Sequence, residues 1–188
     1  MTTTPAKFPD GFLLGAATAS YQIEGGAHEG GRGTSIWDTF SATDGKVVGG
    51  DNGDVACDHF HRWEEDIDMM SEPGPRGLPL LDRLAARAAG RLGEFNPEGI
   101  AFYRGLIDRL REKGIRPLIT LYHWDLPQEL EDQGGWLSRD TVDAFVTYAV
   151  RMVEEFGTDV ETWTTFNEPW VRLVRGLRRW GPRPGSRR

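Results

Sequence analysis

The chain has 188 residues, enough to bury one core, and its 22 basic against 29 acidic side chains leave a net charge of −7 near neutral pH. Hydrophobic residues at 38% with 11% aromatics exclude a disordered chain, and no stretch approaches the roughly 20 apolar residues that span a bilayer. A single cysteine, Cys57, excludes an internal disulfide, and Met1 to Gly15 has neither the charged start nor the long apolar run of a secretory signal, so a reducing cytoplasm is the expected setting.

In chain order, Phe12 to Ile23 (FLLGAATASYQI) begins apolar and small and reads as a buried strand that ends in polar groups at Tyr21, Gln22 and Glu24. The next thirty or so residues are rich in Gly, Asp, Ser and Thr and read as a long loop with short turns. Asp58 is placed to cap a short helix with acidic residues Glu64, Glu65 and Asp66 near its start and Trp63, Ile67 and Met70 on its apolar side, stopped by Pro73. His59 and His61 lie two apart on that helix, on different sides, and read as surface or core groups rather than metal ligands.

Residues 73–93 (PGPRGLPLLDRLAARAAGRLG) use only six residue types. One reading makes two helical turns through Leu80, Leu81, Leu84 and Ala88. The other takes the restricted alphabet as out-of-frame translation of a GC-rich gene. On the second reading no central strand is expected, because Pro79 would cost an inner strand a ladder hydrogen bond.

Asn96 then offers a helix cap with Pro97 at the first helical position, and Ile100, Tyr103, Leu106, Ile107 and Leu110 recur at helical spacing until Gly114. Arg116 to Tyr122 (RPLITLY) reads as a strand closed by His123-Trp124-Asp125 and Pro127. From Ser138 a second long helix carries Val142, Phe145, Val146, Ala149, Met152, Val153 and Phe156 on one face before Gly157. Val160 to Phe166 (VETWTTF) is the next strand, with Asn167-Glu168-Pro169-Trp170 at its C-terminal end. Residues 171–188 hold seven Arg and no acid, so the preceding 170 residues keep 15 basic against 29 acidic groups, a balance of −14. This stretch shows neither a helical face nor interleaved aromatics. It reads as a solvated end that packs poorly rather than a nucleic-acid or membrane-surface arm.

Alternating strands and helices imply an α/β fold with parallel strands, in which ligands lie beyond the carboxyl ends of the strands. Gln22, His123-Trp124 and Asn167-Glu168 each terminate a different predicted strand. A barrel would gather them at one mouth.

Glycoside hydrolysis needs two carboxyl groups flanking the anomeric carbon, one of them protonated to release the leaving group. Glu168 is a candidate for that acid, with Asn167 beside it to hydrogen-bond a hydroxyl and Trp124 and Trp170 as apolar surfaces for sugar faces. Taken alone, Asn-Glu-Pro reads equally as a helix cap or turn.

FLLGAATASYQIEG at 12–25, TLYHWDLPQ at 120–128, GGWLSRD at 134–140 and TFNEPW at 165–170 together resemble, in order, the N-terminal half of glycoside hydrolase family 1, the β-glucosidase family. The resemblance covers about 1–72 and 94–170. It implies the N-terminal portion of a (β/α)8 TIM barrel, incomplete, over 1–170, with 171–188 as an atypical tail. It also implies a retaining mechanism on a small-molecule β-glycoside or oligosaccharide, with no cofactor, metal, nucleic acid or membrane. By resemblance Glu168 is the acid/base, Asn167 holds the sugar 2-hydroxyl, Gln22 and His123 bond the 3- and 4-hydroxyls, and Trp124 walls the pocket. Two departures stand out. Residues 75–92 replace the family's YRFSIAWPR-like second strand, and no ITENG-like motif supplies the nucleophile. The expectation is a truncated, inactive β-glycosidase in which three strands leave sheet edges and helix faces exposed; the alternative is a noncatalytic sugar- or partner-binding remnant.

Overall fold

The computed structural model describes residues 7–13, 15–71, 79–82 and 95–170. Four parallel strands, β1 (Ala16–Ala17), β2 (Pro79–Asp82), β3 (Leu118–Tyr122) and β4 (Thr162–Phe166), lie side by side in sequence order. Because right-handed crossovers that always step in the same direction lay their helices on one face, this order is that of a barrel wall, not of an open doubly wound sheet with a switch point.

The helices are α1 (Ser20–Ile23), α2 (Ile36–Ser41), α3 (His59–Ser71), α4 (Pro97–Glu112), α5 (Gln128–Asp132) and α6 (Arg139–Phe156), with 3-10 turns at Val48–Gly50 and Gly135–Leu137. The two long helices begin where their caps are written. The Asn96 side chain accepts from the Glu98 amide with Pro97 at the first turn, and Ser138 accepts from the Asp140 amide. The core lies between β3 and helices α3, α4 and α6, where Ile67, Tyr103, Leu106, Ile107, Ile119, Met152 and Phe156 are buried together. Strand β3 is buried along nearly its whole length, as expected of an inner parallel strand covered on both faces.

Ion pairs tie the helices at their solvent ends. Asp68 of α3 receives Arg109 at 2.7 Å and Lys113 at 2.8 Å from α4 and its end. The bond from Lys113 first, then that from Arg109, holds the Asp68 carboxyl below the usual carboxylate range against the opposing effect of burial. Asp159, just past α6, receives Arg104 at 2.6 Å and also pairs with Arg111. Its carboxyl is lowered as well, chiefly by the Arg104 bond.

Several expectations are corrected. Residues 79–82 form a strand paired on both sides, Ala16 with Pro79 and Ala17 with Leu80 on one edge, Leu80 with Leu118 through Asp82 with Thr120 on the other, so the sheet has four strands and not three. Pro79 is the first residue of β2, a position where an inner strand tolerates its missing N–H, and Leu80-Leu81 has the apolar character a parallel inner slot requires. The remainder of 73–93, and all of 171–188, lie outside the described residues.

The strand expected over Phe12–Ile23 shrinks to Ala16–Ala17, and Tyr21 and Gln22 sit on the one-turn helix α1. The loop expected after it contains α2, which starts at a capping box. Ser35 Oγ accepts from the Asp38 amide at 3.4 Å, and Asp38 Oδ2 accepts from the Ser35 amide at 2.7 Å. Asp58 does not cap α3 with its carboxylate. It has a left-handed backbone, φ +58°, and bonds the His61 ring at 2.6 Å. On α6 the buried arc is Thr141, Tyr148, Met152 and Phe156, while Val146 and Val153 of the expected face are exposed. Of the expected face, Met152 and Phe156 enter the core and Phe145 and Ala149 pack against it, so only the Val146–Val153 side of the stripe is left open among the described residues.

Candidate active site at the carboxyl ends of the strands

In a parallel sheet every strand delivers its following residues to the same rim. Strands β3 and β4 are adjacent, with Tyr122 opposite Phe166. The residues just beyond them therefore meet. The Asn167 amide N–H donates to the Tyr122 carbonyl at 2.9 Å, extending the ladder from the last residue of β3 to the residue just past β4. Asn167 Nδ2 lies 3.2 Å from His123 Nε2. An amide nitrogen only donates, so in this pair the ring nitrogen is the acceptor. Trp124 Nε1 donates to the Asn167 carbonyl at 3.1 Å. His123, Trp124 and Asn167 thus form one bonded cluster, each only partly buried and open toward the rim.

Two residues of this rim have left-handed backbones, Trp124 at φ +68° and Glu168 at φ +45°. Such a conformation is rare for side chains with a Cβ, and it persists where surrounding contacts over-determine it. At Glu168, the residue after Asn167, it turns the chain out of β4, and the residue is exposed.

Gln22 follows β1, so it stands on the same rim. Two strand spacings, about 10 Å, separate β1 from β3, and Gln22 is exposed on α1, apart from the bonded cluster. Trp170 is exposed beyond Glu168.

A buried charged floor lies beside these residues. Arg32, whose side chain is 3% exposed, pairs with Asp38 at 2.7 Å and donates to the Ala27 carbonyl at 3.0 Å. Asp125 and Glu24, each 4% exposed, add their charges. Burial opposes the Arg32 charge, but the Asp38 bond and the three carboxylates overcome it and raise the guanidinium above its ordinary proton affinity. Tyr103 Oη donates to Glu24 Oε1 at 2.9 Å, which anchors this floor to the core helix α4.

The residues missed at the level of sequence are those of segment 32–38. The signal that could have found them is the Ser35-x-x-Asp38 capping box that encloses Ile36-Trp37. His59 is buried and bonded to Asp66 at 2.6 Å, and His61 lies between Asp58 and Glu29, so the two ends of this pair do different structural work.

Chemically the rim offers an acidic group on a fixed turn, an amide oxygen and an imidazole positioned for hydroxyls, and an indole face. This set suits a polyhydroxylated ligand. The chain is 49% identical over 173 residues to β-glucosidase A of Thermotoga maritima, covering 90% of this chain and 38% of that protein. It is 48% identical over 176 residues to thermostable β-glucosidase B of Thermobispora bispora, covering 94% of this chain and 37% of that one.

Among solved structures, the AHE enzyme from Alicyclobacillus herbarius superimposes with a TM-score of 0.88 at 48% identity over 93% of this chain and 39% of that chain. The Thermotoga maritima β-glucosidase in complex with cyclophellitol superimposes with a TM-score of 0.86 at 48% identity, over 90% of this chain and 39% of that one. The chain therefore spans about two fifths of the length of these relatives, and its α/β fold is an incomplete part of their barrel. The glycosyl hydrolase family 1 model matches residues 4–186, running through both compositionally unusual stretches, and the chain belongs to that family.

Proposed function

We propose that this chain carries the acid/base and sugar-holding part of a retaining β-glycosidase site, directed at terminal β-linked sugars such as β-glucosides, in the cytoplasmic setting that its single cysteine suggests. The observation that supports this reading is the bonded cluster His123–Asn167–Trp124 set against the Glu168 turn at the ends of adjacent strands, in a chain of this family. In this reading Glu168 protonates the leaving oxygen and later activates water. Asn167 holds the 2-hydroxyl, His123 and Gln22 hold the 3- and 4-hydroxyls, and Trp124 walls the sugar face.

A retaining mechanism also needs a second carboxylate about 5 Å from the first, to attack the anomeric carbon as the glycosidic bond breaks. The 188 residues contain no ITENG-like segment to supply it. Glu24 is committed to Tyr103, and Asp125 lies in the buried floor with Arg32. This polypeptide by itself is therefore expected to bind sugar without turning it over. The test is hydrolysis of an aryl β-glucoside by the wild-type chain and by Glu168→Gln, with glucose-binding calorimetry beside it. Expected are heat of binding and no hydrolysis. Turnover in the wild type that disappears in the variant would overturn the inactivity, and absence of any sugar binding would overturn the site.

A further inference from the structure

We propose that Trp37 is a positioning residue for the sugar-holding cluster: its indole N–H fixes the carbonyl of Trp124 and so maintains the left-handed turn that sets His123 and Trp124 against Asn167. The role in sugar binding rests on the reading of the site given above; the hydrogen-bond relay itself does not.

Trp124 at φ +68° occupies a region that a residue with a large side chain enters only under constraint. The constraint is visible on both sides. Trp37 Nε1 donates to the Trp124 carbonyl at 3.0 Å, across 87 positions of sequence. Trp124 Nε1 in turn donates to the Asn167 carbonyl at 3.1 Å, and the Asn167 side-chain amide donates to His123. An indole nitrogen has a donor and no acceptor, so the first two links run one way only, Trp37 to Trp124 and Trp124 to Asn167; the amide nitrogen of Asn167 then faces His123 Nε2.

Trp37 is itself held in place. It occupies the first turn of α2 under the Ser35–Asp38 capping box, and its carbonyl accepts from Tyr21 Oη at 3.2 Å. Its ring lies 5.9 Å from that of Tyr21 and edge-on to Phe40 at 5.6 Å. The segment before it is clasped to the chain after Trp124. Ile36 donates its amide to the Leu126 carbonyl at 2.9 Å, Gln128 donates to the Thr34 carbonyl at 3.0 Å, and Ser35 bridges Pro127 in antiparallel fashion. These backbone bonds align the two loops. The Trp37 indole is the group that extends the clasp to a site residue.

The experiment uses the full chain labelled with 15N at tryptophan. Trp37→Phe keeps a six-membered ring against Tyr21 and Phe40 and removes the N–H donor together with the five-membered ring that carries it, so a second variant must report on packing alone. Expected are a shifted Trp124 indole N–H resonance whose hydrogen exchange is faster by about tenfold, and binding of phenyl 1-thio-β-D-glucoside weakened by up to about tenfold, the scale of one lost hydrogen bond. Phe40→Leu disturbs the packing of the Trp37 ring and keeps its N–H, and is expected to leave the Trp124 signal and its exchange unchanged.

An unaltered Trp124 indole in Trp37→Phe would overturn the proposal, as would an equal effect from Phe40→Leu. Should Trp37→Phe fail to fold, the wild-type chain decides. Protection of the Trp37 indole N–H comparable to that of Trp124 supports the relay, and exchange at the rate of free indole overturns it. If the wild type binds no thioglucoside, the sugar reading fails while the exchange data still decide the relay.

Discussion

His61 stands between two carboxylates, Asp58 at 2.6 Å and Glu29 at 3.0 Å, and joins the loop before α2 to the start of α3. The bond to Asp58 first, then that to Glu29, raises its imidazole above the ordinary value of 6.5 against the opposing effect of desolvation. A raised folded-state pKa means that the protonated ring stabilises the fold fully below 6.5 and that this contribution fades as pH climbs through the folded value. The wild type is therefore expected to exceed His61→Gln in urea midpoint at pH 5.5, with the gap closing by pH 9. A gap that widens with rising pH would contradict the assignment. The ring is exposed, so solvent screening keeps the effect small. The Glu24–Tyr103 bond is the opposite case, a contact so fully buried that little solvent screening reaches it.

Helices α4 and α6 differ in how completely the rest of the protein covers them. Ile107 of α4 is 0% exposed among Ile67, Leu110 and the residues of β3, and truncating it removes buried methyl groups and leaves a cavity. Ile107→Ala is expected to cost about 2–5 kcal/mol. Val146 of α6 is 54% exposed, and Val146→Ala is expected to stay within about 0.5 kcal/mol. Urea denaturation of the two variants checks the contrast; similar losses at both positions would mean that α6 is covered on its outer side. Helix α4 is tied to α3 by the lowered carboxyl of Asp68 and to the end of α6 by that of Asp159, and this stabilisation is present above the ordinary carboxyl value of 3.8 and is lost as pH falls through the folded values.

At the scale of the whole molecule, the described sheet is a wall and not a closed barrel. Strand β4 pairs with β3 and with no other described strand, and Val146, Val150 and Val153 lie on α6 at 54%, 52% and 47% exposure. Spacings of four and three residues put the three valines on one stripe of the helix. An apolar stripe beside a strand edge favours association between chains. Replacing Val150 and Val153 together by Glu is expected to reduce self-association in light scattering while leaving the thermal midpoint nearly unchanged. Loss of folding in that variant would show that the stripe is buried in solution.

The sequence by itself determined the features that depend on neighbours a few positions apart. Asn96-Pro97 and Ser138 wrote their helix starts, and the alternation of apolar runs announced β3 and β4. The residue types of His123, Trp124, Asn167 and Glu168 at strand ends marked the rim, and the four motifs named the family. The tertiary structure alone decided what depends on distant partners. β2 forms because the slot between β1 and β3 supplies hydrogen bonds on both edges, a demand that Pro79 and a Leu-Leu pair meet without any local signal of their own. The expected face of α6 included Val146 and Val153, which are exposed, because the position of the buried arc is set by what packs against it, not by hydrophobicity around the helix. The turn at Trp124 was invisible for the same reason: its left-handed backbone costs free energy locally and is held by Trp37 and Asn167, groups that the parallel sheet brings together from 87 and 43 positions away.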